Sequence, residues 1–120
     1  MLSGRSVLVV ESEFIIALGI QNVIEGLGAS DVVTAGTPRE ALATSTRWAS
    51  SVLTVIELET ARPDLMEFAR QLSQSGIPVL GISADARLAA GVPELPGTPI
   101  ILKPFSDADL VCAIKARLAQ

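Results

Sequence analysis

The sequence has no histidine, no tyrosine and a single cysteine, Cys112. Without histidine no imidazole is available as general base, metal ligand or phosphohistidine carrier. Ser-His hydrolysis, His-based metal sites and an internal phosphohistidine relay are therefore excluded. One cysteine cannot make an internal disulfide. Cys112 falls in the apolar run Leu110-Val111-Cys112-Ala113-Ile114, where it reads as a packed core thiol. Aromatics are only 3% of the residues, so the core has to be aliphatic. Nine basic residues stand against 13 acidic ones, a net charge of −4 with no basic cluster, which argues against a nucleic-acid footprint. No apolar run approaches the roughly 20 residues of a membrane span, and no signal peptide is visible. A soluble, cytoplasmic protein without membrane contact is the default expectation.

What is present is aliphatic and alternating. Hydrophobic residues make up 49% of 120 positions, enough for one domain over residues 1–120. Ser6 to Val10 reads as a first buried strand, followed at once by Glu11-Ser12-Glu13. Ala17, Ile20, Ile24 and Leu27 share one face of a helix over 14–27, which Gly28 stops. Asp31 to Ala35 is a short second strand. Thr37-Pro38-Arg39-Glu40 is a capping box that opens a helix to about Trp48, the tryptophan packing under its end.

Val52-Leu53-Thr54-Val55-Ile56-Glu57 is the run on which the rest is organised: a strand buried on both faces that ends in an acid. Asp64 to Ser75 reads as a helix with Leu65, Phe68, Ala69 and Leu72 inward, and Gly76 ends it. Pro78 to Ser83 is a fourth strand. Asp85 to Ala90 is a short helix that Gly91 terminates, and Pro93, Pro96 and Pro99 keep the following stretch irregular. Ile100 to Leu102 is a fifth strand, and Ser106 with Asp109 caps a last helix to about Leu118.

Strands alternating with helices predict a flavodoxin-like, doubly wound parallel sheet of five strands in the order 2-1-3-4-5, with helices on both faces. In that order the first and third strands are neighbours. Glu11 and Glu57 then converge in the crevice at the carboxyl ends of the strands, where Ser83 and Lys103 also end theirs.

Four segments on the right elements, in the right order, resemble the receiver domains of two-component response regulators. These are Val7 to Glu13, Val52 to Glu57, Pro78 to Ala84, and Leu102-Lys103-Pro104-Phe105. The resemblance covers nearly the whole chain. It implies a role in a bacterial two-component phosphorelay, with a histidine kinase, a phosphotransfer protein or another regulator as partner, and a monomer or weak homodimer. It places Glu57 at the phosphoacceptor position, Glu11 and Ser12 at the acidic pair, and the Glu59 carbonyl as a metal ligand. Ser83 and Ile100 fall at the switch positions. Lys103 is the lysine that contacts the phosphoryl group or a carboxylate, and Pro104 follows a cis peptide bond.

The departures lie where the chemistry of the family lies. Glu57 stands for an aspartate, Ser12 for an acid and Ile100 for an aromatic. A glutamate carries its carboxylate about 1.5 Å further out, and errors of about 1 Å cost such reactions roughly 100-fold. Ser12 removes a charged oxygen from a site meant for Mg²⁺, which demands near-octahedral oxygen ligands. No cofactor is therefore expected, Glu11 and Glu57 being the pair that would hold any residual Mg²⁺. The extra length of Glu57 lets it reach Lys103 instead. The expectation is a receiver-like domain that works by protein–protein contact rather than as an enzyme; the alternative is a working Mg²⁺-dependent phosphoacceptor. A third class, a flavin- or nucleotide-binding protein, needs a phosphate cradle after the first strand, and the anionic, glycine-free Glu11-Ser12-Glu13 does not provide one.

Plainer local roles compete for the same residues. Ser12 reads as the N-cap of the first helix, Glu13 as an acid that favours the helix dipole, and Ser83 as a core hydroxyl bonded to backbone.

Overall fold

In a computed structural model describing residues 1–120, the elements follow as β1 (Ser6–Val10), α1 (Phe14–Gly26), β2 (Asp31–Ala35), α2 (Pro38–Ala43), α3 (Ser45–Trp48), β3 (Leu53–Glu57), α4 (Pro63–Gln74), β4 (Val79–Ser83), β5 (Ile100–Leu102) and α5 (Asp107–Leu118). The five strands form one sheet in the order β2-β1-β3-β4-β5, parallel throughout, as the alternation predicts. Val10 pairs with Ile56, which sets the acids that follow them side by side.

Side-chain alternation along the central strands divides the core in two. Val7 and Val9 of β1, Leu53 and Val55 of β3, and Leu80 and Ile82 of β4 pack with Ile20, Ile24, Leu110 and Ile114 on the α1 and α5 side. Leu8, Val10 and Ile56 face the other way, toward Trp48, Leu65, Phe68, Ala69 and Leu72. Val7 to Val10 of β1 are therefore apolar at every position, because both faces of the strand are covered, and β3 departs from this at the buried Thr54 and Glu57. Gly81 belongs to this second face: a Cβ there would lie 2.8 Å from Leu58 Cδ1 and 2.9 Å from Ile100 Cγ1.

Several local expectations hold. Ala17, Ile20 and Ile24 are buried on α1, as are all four inward positions of α4. Ser106 and Asp109 form a full capping box on α5. Trp48 is buried, donates its indole N–H to the Ala41 carbonyl at 2.7 Å and meets Phe68 edge-on at 5.9 Å.

Four differ. The helix from Thr37 is broken at Thr44, whose hydroxyl bonds back to the Ala41 carbonyl, so that α2 and α3 are separate short helices. The Thr37 box is half made: its hydroxyl accepts from the Glu40 amide, but the Glu40 carboxylate accepts from Gly36 instead of Thr37. Between β4 and β5 the short helix shrinks to one 3-10 turn, Ala86–Leu88, ended by Gly91 at φ +99°. The irregular chain after it covers the core with Val92 and Leu95. Finally, Cys112 is exposed. The buried stripe of α5 is Leu110 and Ile114, four residues apart, and position 112 lies on the opposite side of the helix.

Candidate functional site

Glu11, Glu57 and Lys103 leave the ends of β1, β3 and β5 and meet at the carboxyl edge of the sheet. The Lys103 ammonium lies 2.6 Å from Glu11 Oε1, 3.4 Å from Glu57 Oε2 and 3.8 Å from Glu13 Oε1. Glu11 and Glu57 are each only 2% exposed, so this is a buried cluster of two carboxylates and one ammonium, with Glu13 at its mouth.

The two buried acids are held differently. Glu57 Oε1 accepts the backbone N–H of Ser12 at 2.8 Å, and Oε2 accepts from Lys103. Burial pushes the Glu57 carboxyl up, but the hydrogen bonds from Ser12 and the charge of Lys103 outweigh it and hold the group below the usual glutamate range. Glu11 Oε2 accepts the Glu13 amide at 3.0 Å, while Oε1 has no well-angled hydrogen bond and relies on the charge of Lys103. Burial prevails there and raises Glu11, with the nearby Glu57 charge adding to it. Lys103 is depressed by burial but raised more strongly by its two acid partners, and stays charged.

The remaining predicted residues sit around this cluster in various relations to it. The Ser12 side chain is exposed and does not cap α1; Glu13 occupies the N-cap position without a side-chain cap bond, and it is the Ser12 backbone that enters the site. Ser83 is buried, and its hydroxyl accepts the Asp85 amide at 3.0 Å, a bond to backbone. Ile100 is 9% exposed and packs into the core beside Gly81 rather than lining the cleft. The Glu59 carbonyl accepts the Arg62 amide at 3.0 Å. Lys103-Pro104 is the one cis peptide bond.

Three residues at the rim went unnoticed in the sequence. Thr60 donates to Asp85 Oδ2 at 2.9 Å, tying the loop after β3 to the loop after β4, and Arg87 grips both oxygens of Asp85 at 2.9–3.0 Å. These bonds hold the Asp85 carboxyl far below the usual aspartate range. Asp85 with Arg87 two residues on is the one signal that points to this grip.

The Mg²⁺ implied by the resemblance is not matched by this donor set. Both buried carboxylates converge on Lys103, and Ser12 turns its amide rather than a charged oxygen to the site. No group of three or more His, Cys, Asp or Glu side chains is arranged to hold a metal ion.

No family model and no curated protein matches the chain. Solved structures do. The receiver domain of the PhyR response regulator from Erythrobacter litoralis aligns at 22% identity over 98% of this chain and 92% of its own, with a TM-score of 0.80. A response regulator receiver protein from Sinorhizobium medicae aligns at 22% identity over 99% of this chain and 98% of its own, with a TM-score of 0.79. A chemotaxis protein of Vibrio cholerae aligns at 20% identity over 96% and 99%, with a TM-score of 0.75. At these identities the likeness is one of architecture, and it coincides with the five-stranded 2-1-3-4-5 sheet. The chain has the fold of a response regulator receiver domain.

Proposed function

We propose that the chain is a receiver-like signalling module that acts by protein–protein contact and takes no phosphoryl group at Glu57. One observation carries the reading: the Lys103 ammonium already offsets both carboxylates, at 2.6 Å from Glu11 and 3.4 Å from Glu57, and Ser12 offers its amide where a second acid would be needed. Phosphoryl transfer to a carboxylate relies on a metal to offset the charge that gathers on the transferred group. Here Ser12 brings no carboxylate to help hold such a metal, and Glu57 is engaged by the Ser12 amide. The module holds no cofactor, has no turnover, and answers to a histidine kinase, a phosphotransfer protein or another regulator through binding alone.

The rival reading, a Mg²⁺-dependent phosphoacceptor, draws on the hydrogen bond between Lys103 and Glu57. It requires Glu57 to give up both of its partners to a metal. Incubation with Mg²⁺ and acetyl phosphate followed by intact mass separates the two. An unchanged mass is the expected result; stoichiometric gain of one phosphoryl group at Glu57 would establish the rival.

A further inference from the structure

The apolar layer on the α2–α4 side of the sheet is not closed. A cavity of about 380 Å³ opens between α3 and α4, floored by Trp48, Phe68, Leu72 and Ile77 of that layer. Packed helices ordinarily interdigitate large side chains and leave few voids. Here one wall is Ser45, Thr46 and Ala49, and the other ends in Ser75, so small residues face each other across the gap. Leu42, at the end of α2, stands at its edge and is 56% exposed. Trp48 leads into β3 and Ile77 into β4, which puts the cavity at the amino ends of these strands, opposite Glu57 and Lys103.

Thr54 is the second observation. It pairs with Leu8 and Val79 in the sheet, both members of this layer, so its side chain turns to the same side. It is fully buried, and its hydroxyl has no hydrogen-bond partner. An orphaned buried hydroxyl is destabilising, whereas a valine of the same shape is not. One layer therefore carries both an unfilled gap and an unsatisfied polar group. Departures of this kind from good packing gather at functional sites.

The chemistry of the wall fixes the occupant. No charged residue lines the cavity. A charged ligand would lose water there and find no counter-charge. The Trp48 indole N–H is already given to the Ala41 carbonyl, so the floor offers only apolar surface. At the rim, Ser75 donates to the Gln71 carbonyl at 3.0 Å and the Gln71 amide to Glu67 at 3.3 Å. The hydroxyls of Ser45 and Thr46 are left to meet a ligand. An apolar and aromatic lining with a few polar groups, at this volume, is the usual form of a small-molecule site.

We propose that this cavity binds an uncharged small molecule with an aromatic or alicyclic body, seated on Trp48, Phe68 and Leu72, and one hydroxyl or carbonyl group that meets Ser45 or Thr46. The proposal stands independently of what Glu57 does, because the two sites lie at opposite ends of the sheet.

The test is titration of the intact chain with 1-naphthylmethanol, beside 1-naphthoate and 1-naphthylmethylammonium, which carry the same ring with a negative and a positive charge. Calorimetry gives the affinity. The NMR signal of the Trp48 indole N–H, unique in a chain with one tryptophan, gives the place. The alcohol should shift that signal saturably, and both charged probes should bind at least about tenfold more weakly. Thr46→Leu, at an exposed position of α3, fills the cavity and should weaken the alcohol at least about tenfold while melting no lower than the parent. Ala49→Leu fills it from the other end and serves as the same test should Thr46→Leu melt lower. No saturable shift with the alcohol, equal binding of a charged probe, or unchanged binding in a stable filled variant would overturn the proposal. So would a parent dimer in sedimentation velocity that Leu42→Asp converts to monomer, since the cavity would then belong to a second copy.

Discussion

The carboxylate of Glu57 is tied to the backbone of Ser12, 45 residues away in sequence, by a 2.8 Å hydrogen bond. The donor is a main-chain N–H, so this bond depends on the reach of the residue at position 57. Glu57→Gln keeps the reach and an oxygen acceptor, and it leaves Lys103 paired one-to-one with Glu11. Glu57→Asp pulls the oxygens back by about one carbon–carbon bond and orphans the amide, at a cost of about 1–2 kcal/mol. Urea denaturation should therefore rank Asp below Gln in stability, although Asp is the closer match to the receiver family.

Lys103→Met leaves two buried carboxylates without their counter-charge, and it should destabilise the protein by about 3 kcal/mol at neutral pH. The pH dependence has a definite sign. Without the ammonium the folded-state carboxyls of Glu11 and Glu57 both rise above their unfolded values. Groups raised in this way give stability that is present at low pH and lost as pH climbs through the folded value. The deficit against the parent should shrink as the pH is lowered from 7 toward about 5, as followed by chemical denaturation at each pH.

Asp85 works in the opposite sense. Arg87 and Thr60 hold its carboxyl well below the ordinary aspartate value, so its contribution is present above that value and lost as pH falls toward the folded one. Asp85→Asn removes the titration. In acid titrations of thermal stability, the variant should lose Tm less steeply than the parent below pH about 4. Hydrogen exchange at the Arg87 amide, which donates to Asp85 Oδ1, should be faster in the variant at neutral pH if the two loops part.

Gly81→Ala puts a methyl group into Leu58 Cδ1 and Ile100 Cγ1 at 2.8 and 2.9 Å, in a fully buried strand. Overpacking of this kind costs about 1–3 kcal/mol. The urea midpoint should drop accordingly. In an Ile100→Ala background, which removes Cγ1, the further change Gly81→Ala should cost less than it does in the parent.

The fold was legible because strands covered on both faces are predominantly apolar, as Val7 to Val10 are throughout and Leu53 to Ile56 are but for Thr54. Once five such strands alternate with helices, few topologies remain. The meeting of Glu11, Glu57 and Lys103 followed from that topology, since each ends a strand at the same edge. What the sequence hid was rotation and competition. The run around Cys112 is apolar throughout, so composition did not reveal that Leu110 and Ile114 own the buried side. Thr44 carries no breaker signal of the strength of glycine or proline, yet its hydroxyl competes for a helical carbonyl and ends α2. Glu40 had two amides within reach and took that of Gly36. The bond from Thr60 to Asp85 joins loops 25 residues apart, and no local pattern announces it, whereas the neighbouring Arg87 was visible two residues on.

Trp48 is the chain's only tryptophan, and it is sealed among Ala41, Phe68 and the aliphatic layer on the side of the sheet away from α1. Its fluorescence is thus a built-in reporter with a known blind side. Emission will shift to longer wavelength when the layer under α2 and α4 opens to water, while a ligand seated against α1 leaves the indole's surroundings untouched. An optical melt on the unlabelled protein therefore reports the opening of that layer, and binding at α1 has to be followed by another signal, such as heat.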